Sequence, residues 1–274
     1  MTNTDNMQQI LKKQKDFFLE NGVPSIDLRI DRIERLKSLI LDNRYKFIES
    51  LNNDFGNRSE SASLMSDVYS IIPSINNVKK NLKKWNKIEK RGSNFPFGIF
   101  GARSYIKYEP LGTVGMISPW NFPVNLAFMP AISIFAAGNQ IMHKPSEHTP
   151  ITSSLMKELC DKFFDETEFA TFLGGPDIGQ SFTELNFDHL IYTGSGSVAK
   201  SVMNSASKNL VPLTLELGGK SPTVVSKSAD IKIAAKRIMF GKTLNAGQIC
   251  LAPDYVLVHA DEKENFINES KIAI

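Results

Sequence analysis

The residues of this sequence that could do chemistry are two thiols and one glycine-rich turn. Gly194-Ser195-Gly196-Ser197-Val198-Ala199 fits a dinucleotide-binding fingerprint, follows the apolar run His189 to Tyr192 and opens a helical pattern. In that context, exposed backbone N–H groups and a helix N-terminus favour a phosphate. Glycines at a strand-to-helix turn can also be turn residues and nothing more, so the segment alone leaves both readings open. Extending the fingerprint downstream would make Glu216 the ribose-binding acid, an extension that the segments described below argue against. The two cysteines, Cys160 and Cys250, lie far apart in the chain. They make neither a disulfide framework nor a metal-ligand set, and they fit a reducing, cytoplasmic setting. A thiolate is a strong nucleophile, but a lone cysteine is usually a small buried hydrophobe.

The elements that must position these groups follow from the hydrophobic pattern. At 274 residues, with 42% hydrophobic and 22% charged side chains, the chain can build one large domain or two smaller ones. Apolar residues recur at three- and four-residue steps through Ile10, Phe17 and Phe18, and again from Ile30 to Ile48; this predicts helices. Ser25 to Asp31 starts the second helix behind Pro24, and a third helical stretch covers Ala62 to Lys87. Pro96, Gly98 and Gly101 then mark a boundary.

Beyond it, short apolar runs alternate with amphipathic ones. Strands are expected at Val114 to Ile117, Gln140 to His143, Phe169 to Leu173, His189 to Tyr192, Thr223 to Val225 and Tyr255 to Val258. Helices are expected at Pro123 to Ala137, Ile151 to Phe164, Ser197 to Ser207 and Ile231 to Leu244, with a short one after Leu173. This alternation signals βαβ units: an α/β fold whose doubly wound parallel sheet is covered on both faces, with right-handed crossovers.

Composition excludes several function classes. A net charge of +3 implies no acidic partner. The lysine-rich stretch around Trp85, from Lys79 to Arg91, reads as a solvated helix face, and no basic balance across the domain supports a nucleic-acid footprint. Met1 to Gly22 has no apolar signal core, and the longest apolar stretch, Leu126 to Ala137, is too short to span a bilayer and contains Pro130. No metal site is expected.

Four further segments give the sequence a family likeness. They are Pro119-Trp120-Asn121-Phe122-Pro123, Lys144-Pro145-Ser146-Glu147-His148-Thr149-Pro150, Leu215-Glu216-Leu217-Gly218-Gly219-Lys220-Ser221-Pro222 and Asn245-Ala246-Gly247-Gln248-Ile249-Cys250. In this order, with Tyr192-Thr193-Gly194-Ser195 between them, they closely resemble the aldehyde dehydrogenase superfamily from about Gln14 onward. Asp54-Phe55-Gly56-Asn57-Arg58-Ser59, Asn186-Phe187-Asp188-His189-Leu190 and Ala252-Pro253-Asp254-Tyr255-Val256 point to the class-3-like branch that includes coniferyl aldehyde dehydrogenases.

The resemblance implies an NAD(P)-dependent oxidation of an aldehyde to its acid. Cys250 matches the family's nucleophile, Glu216 the base that activates water against the thioester, and Asn121 the oxyanion donor. Lys144 and Glu147 match positions that hold the adenosine ribose. The carboxylate would oppose a 2′-phosphate, so NAD is favoured over NADP. Ser118, Pro119, Trp120, Ser146 and Gly174 are also taken as cofactor-facing. Gly194, Ser195 and Gly196 match the pyrophosphate turn, and Gly218 approaches the nicotinamide side. Ala199 stands where the family often has glycine. Cys160 has no such context and is expected in the core.

Residues 1–215 are read as N-terminal helices plus a cofactor-binding domain, and 216–274 as the beginning of a catalytic domain. Relatives of this kind continue past the position of Ile274 and carry an oligomer-building strand arm. The chain is therefore expected to be incomplete, weakly active or inactive alone, and without the arm that makes relatives homo-oligomers. Two other readings are weighed: an acylating enzyme on the same fold, which Glu216 argues against, and a non-catalytic nucleotide-binding fragment or half of a split enzyme. Coniferyl-type aromatic and medium-chain aliphatic aldehydes are both candidate substrates.

Overall fold

The computed structural model describes residues 3–274. They divide into two compact units, residues 1–193 with 200–215, and residues 194–199 with 216–274.

The first unit begins with helices whose ends are written in the sequence. Helix α1 (Asn3–Asn21) is followed by α2 (Ile26–Asp42). Ser25 caps α2, its hydroxyl accepting from Leu28 N at 3.1 Å, which satisfies a first-turn donor. Helix α3 (Arg44–Phe55) stops at Gly56, whose φ of 82° is open to glycine. The single helix expected from Ala62 to Lys87 is instead four pieces: α4 (Glu60–Ser63), a π-helical turn (Leu64–Val68), a 3-10 turn (Tyr69–Ile71) and α5 (Ile72–Trp85). Pro73, in the first turn of α5, gives one reason. It lacks an N–H and its ring crowds the preceding turn, so it starts a helix more easily than it continues one. The lysines of α5 lie on its exposed face, as expected, and Lys79 pairs with Glu34.

Where the sequence offered only a boundary, the structure has a hairpin. Strands β1 (Glu89–Arg91) and β2 (Ser104–Ile106) pair antiparallel, Lys90 opposite Tyr105.

The sheet that organises the unit comes next: β3 (Thr113–Ile117), α6 (Pro123–Ala137), β4 (Gln140–Lys144), α7 (Pro150–Phe163), β5 (Phe169–Thr171), α8 (Pro176–Thr183), β6 (His189–Gly194), α9 (Gly196–Ser207) and β7 (Leu213–Leu217). The strand order is β5-β4-β3-β6-β7. The pairs β3–β4, β3–β6 and β4–β5 are parallel. The chain walks from β3 outward to β5, then returns to build β6 and β7 on the other side. Right-handed crossovers in opposite directions put their helices on opposite faces, which makes the sheet doubly wound. The point of reversal lies between β3 and β6.

Helix α6 explains why this half is well packed. Val124, Ala127, Phe128, Ala131, Ile132 and Phe135 are all buried, against Leu36, Leu39 and Ile75 of the N-terminal helices in one core. Phe169 from β5 meets Phe128 and Phe135 edge-on, at centroid distances of 6.5 and 6.0 Å. Each such side chain contributes about 1.5–3 kcal/mol of burial.

The second unit contains β8 (Ser221–Val225), α10 (Ile231–Thr243), a 3-10 turn (Leu244–Gly247), β9 (Pro253–Val258), a second 3-10 turn (Ala260–Glu262) and α11 (Lys263–Ala273). Strands β8 and β9 are parallel. Asp230 caps α10, accepting from Ile233 N at 3.0 Å. Its core is small: Val225, Ile231, Ala235 and Phe266. Leu257 and Val224 remain 55% and 73% exposed, so the two-stranded sheet keeps apolar surface uncovered.

Candidate active site

Open α/β sheets bind ligands outside the carboxyl ends of their strands, where the order of connection reverses. Here the order reverses between β3 and β6, and the candidate cofactor residues of the first unit lie at or after the carboxyl ends of β3, β4 and β5. Ile117 is the register partner of Lys144, and Ser118 N donates to Lys144 O at 3.2 Å. The parallel ladder thus brings Ser118 and Lys144 together although the chain separates them. Lys144 is 4% exposed and its ammonium lies 2.6 Å from Glu147 Oε2. Burial would raise the Glu147 carboxyl, but its hydrogen bond and charge contact with Lys144 outweigh burial and hold it below the ordinary carboxylate range.

Behind this pair lies a group that the sequence reading missed. Ser118 Oγ is 2.8 Å from His143 Nε2, and His143 is completely buried in β4. Burial, and then the Lys144 charge, push His143 down to about 3. It is therefore a neutral imidazole at any ordinary pH, able to fix the Ser118 hydroxyl without adding charge. Ser146 is also buried; its carbonyl accepts from Ser153 Oγ at 2.8 Å, which locks the turn before α7. Gly174 has φ of 151°, and a Cβ there would come within 2.4 Å of Ile178. That turn admits glycine because no side chain fits.

Pro119 and Phe122 are half-buried, and Trp120 is 38% exposed. The Trp120 ring lies 6.3 Å from that of Phe55. Phe128, in the helix that follows, is core. Asn121 is half-buried, and its carbonyl receives Arg58 Nη1 at 3.4 Å. Arg58 in turn lies 2.6 Å from Asp67. Burial raises the Asp67 carboxyl above its ordinary value, a rise that Arg58 and two backbone N–H groups offset only in part.

The remaining candidates belong to the second unit. β6 ends at Gly194 and α9 starts at Gly196. Between them Ser195 Oγ accepts from Val198 N at 3.4 Å and lies 3.1 Å from Ser197 Oγ. Ala199, where a glycine was looked for, is 2% exposed, so its methyl is accommodated. Glu216 lies within β7, a strand absent from those expected from the pattern. Leu213-Thr214-Leu215-Glu216 alternates apolar with polar, and Glu216 is on an exposed position. The turn begins after Leu217, and a Cβ at Gly218 would meet nothing within 4 Å.

Cys250 closes the segment after α10. Asn245, Ala246 and Gly247 carry φ of 50°, 54° and 79°. Three successive left-handed residues, one of them alanine, are costly at about 1–2 kcal/mol for each residue with a Cβ. Such strain persists only where surroundings impose it. Three residues later, Cys250 is exposed. Cys160 is the opposite case: it is completely buried, and burial pushes its thiol up to about 12. Among the described residues, no cluster of three His, Cys, Asp or Glu could hold a metal ion. No helix among them is long and apolar enough to cross a membrane.

A family model described as Aldehyde dehydrogenase family matches residues 3–273. The chain belongs to the aldehyde dehydrogenase family. A protein from Caulobacter vibrioides named "Probable coniferyl aldehyde dehydrogenase" is 49% identical over 98% of this chain and 56% of its own length. The coniferyl aldehyde dehydrogenase of a Pseudomonas species is 46% identical over 97% of this chain and 54% of its own length. Aldehyde dehydrogenase family 3 member B3 of mouse is 35% identical over 99% of the chain and 56% of its own. Among solved structures, substrate-bound Staphylococcus aureus AldH superimposes with a TM-score of 0.91 at 37% identity, over 96% of this chain and 57% of its own. The chain spans about half the length of these aldehyde dehydrogenases.

Proposed function

We propose that this chain carries the cofactor-binding and thiol portions of an NAD(P)-dependent aldehyde dehydrogenase that oxidises an aldehyde to its carboxylic acid. In this reading, residues 1–215 are the N-terminal helices and cofactor-binding domain, and 216–274 begin the catalytic domain. The observation that carries it is the contrast between the two thiols. Cys160 is sealed in the core with a raised pKa, whereas Cys250 is exposed beyond a strained turn. Thiol chemistry falls to Cys250.

The residues present fit the cofactor. Lys144 and Glu147, paired at a strand end, offer the donor and acceptor that two vicinal hydroxyls of a ribose need. Ser118, Pro119, Trp120 and Ser146 lie on the loops after β3 and β4. The Gly174 turn excludes side chains. Gly194, Ser195 and Gly196 lead into a helix N-terminus suited to a pyrophosphate, and Gly218 leaves open space beside its backbone. When bound, NAD(P) supplies the acceptor for the aldehyde's hydrogen and its electron pair.

Cys250 as thiolate adds to the carbonyl carbon, giving a tetrahedral thiohemiacetal. The family resemblance gives the oxyanion contacts to the Asn121 side-chain amide and the Cys250 backbone N–H, a kind of contact whose removal costs about 10²–10³ in rate. Loss of hydrogen with its electron pair leaves a thioester on Cys250. Glu216 takes a proton from water, the resulting hydroxide attacks, and acid leaves with the thiol restored. Coniferyl-type aromatic aldehydes are the first substrates to try, since relatives at 49% and 46% identity carry that name; medium-chain aliphatic aldehydes come next. The chain acts, in this reading, in the cytoplasm.

The test is NADH or NADPH production from aromatic and aliphatic aldehydes by this chain, by its Cys250→Ala variant, and by the chain joined to a relative's C-terminal half. Turnover that disappears with Cys250→Ala and yields free acid supports the proposal. Turnover that survives the substitution, or an acyl-thioester product, sinks it.

A further inference from the structure

Arg58 and Asp67 are not used by the reaction above, yet their side chains are only 4% and 0% exposed, with Arg58 Nη2 2.6 Å from Asp67 Oδ2. A buried ion pair is weak evidence for stability, because desolvation offsets most of the attraction. Its presence calls for a positional reason, and the neighbours supply one. Asp67 Oδ1 accepts from the backbone N–H groups of Val124 and Asn125, both at 3.1 Å. These are first-turn donors of α6, which have no partner within a helix, and Phe122 at the cap position makes no side-chain cap bond.

Arg58 holds the residues just before. Nη1 donates to Asn121 O at 3.4 Å and Nη2 to Ser66 Oγ at 3.0 Å. The guanidinium also lies 5.1 Å from the Phe122 ring centre and 4.9 Å from that of Phe55, and Phe55 meets Trp120. Asn125 Nδ2 donates to Ser66 O at 2.9 Å and Ser70 Oγ at 2.6 Å. From Trp120 to Asn125, every residue but Pro123 is gripped from one bracket. That bracket includes the π turn Leu64–Val68, and π turns of this kind mark functional sites more often than ordinary helix does.

We infer that Arg58 and Asp67 are positioning residues: together they fix the backbone that carries the Asn121 amide, setting the oxyanion donor before substrate arrives. The inference rests on the assignment of Asn121 made above. Pre-set donors act without reorganisation during the reaction, and small misplacements are costly, about 10²-fold for an ångström.

The test begins in a Trp85→Phe chain, in which Trp120 is the sole tryptophan. Arg58→Lys keeps the charge but loses the planar fork and the ring stacking. Acrylamide quenching of Trp120 fluorescence, which needs no turnover, is expected to rise about twofold as the loop loosens, with far-ultraviolet circular dichroism unchanged. Unaltered quenching in a folded Arg58→Lys protein overturns the inference. Asp67→Asn is the companion variant; should it fail to fold, Arg58→Lys decides alone. In the turnover assay, Arg58→Lys is expected to lower kcat about tenfold with KM for cofactor unchanged. The loss should vanish when Asn121 is already alanine. Losses that simply multiply overturn the positioning role. An Asn121→Ala protein with undiminished kcat refutes the oxyanion assignment itself, while the quenching result still decides whether the pair holds the loop.

Discussion

Glu168→Gln is the sharpest test of how the first unit is fastened. Glu168 stands just before β5, and its carboxylate ties that strand to α2. It receives Arg32 Nε at 2.9 Å, Arg35 Nη1 at 2.7 Å and Arg35 Nη2 at 2.9 Å. Side-chain exposure is 2% for Arg32, 13% for Glu168 and 29% for Arg35. Removing one partner of a fully buried pair costs about 3–5 kcal/mol. Glutamine keeps an acceptor oxygen and Arg35 reaches water, so the expected loss at neutral pH is smaller, about 2–3 kcal/mol. At a urea slope of about 2–3 kcal/mol per molar, the midpoint falls by about 1 M.

Acid supplies the control for this substitution. Burial raises the Glu168 carboxyl, but hydrogen bonds from Arg35 and Arg32 and their charges outweigh it and leave it below its ordinary value of 4.5. A carboxylate held down in the folded state stabilises above the unfolded value, and that contribution is lost as pH falls through the folded one. The gap between wild type and Glu168→Gln should therefore be full at neutral pH and narrow as acid carries the pH below the ordinary carboxylate range. Trp85 and Trp120 both lie in the first unit, so their fluorescence reports its unfolding. A neutral-pH loss below about 0.5 kcal/mol, or a gap that acid does not narrow, would refute the reasoning.

Other expectations concern the sites directly. A thiol reagent should label one cysteine of the folded chain rapidly, Cys250, and reach Cys160 only on unfolding; two fast equivalents would contradict the placement. Gly174→Ala, which forces a Cβ to within 2.4 Å of Ile178 at φ of 151°, should destabilise by about 1–3 kcal/mol and weaken cofactor binding in a fluorescence titration. Phe135→Ala empties the meeting point of α6, β5 and the N-terminal helices and should cost about 3–5 kcal/mol in denaturant unfolding. Glu147→Gln should improve the ratio of NADP to NAD use by about fivefold, a modest shift because this carboxylate is one-third exposed; an unchanged ratio would remove the case for NAD preference.

The parts legible in the sequence are those where local pattern and tertiary demand agree. Helix α6 runs from Pro123 to Ala137, bounded by a helix-starting proline and the left-handed Gly138. The apolar centres of β3, β4 and β5 are legible because both faces are covered and these strands are buried almost throughout. The hairpin β1–β2 escaped because Glu89-Lys90-Arg91 has no apolar alternation to show and remains largely exposed. Strand β7 alternates but is short and half polar, and it runs straight into Gly218 and Gly219, so it is absent from the expected strands. In both cases pairing with another strand, a non-local event, decided the structure.

The site divides along the same line. Residues that would touch the reacting atoms sit in short contiguous motifs, because a loop presents them together. Residues that hold those loops do not, since they come from whatever element happens to pack behind. His143 reaches Ser118 across two strands, and Arg58 reaches Asn121 from a segment more than sixty residues earlier. Asn57-Arg58-Ser59 lies in a stretch that carries the branch resemblance, but nothing in it or in Ser66-Asp67-Val68 shows what these side chains hold. Burial does: a guanidinium and a carboxylate almost without solvent, in contact with helix donors and aromatic rings, are too costly to be incidental. Groups that act by holding others should therefore be sought among buried charges packed behind the loop that carries the chemistry, and Arg58 with Asp67 is where that search leads in this chain.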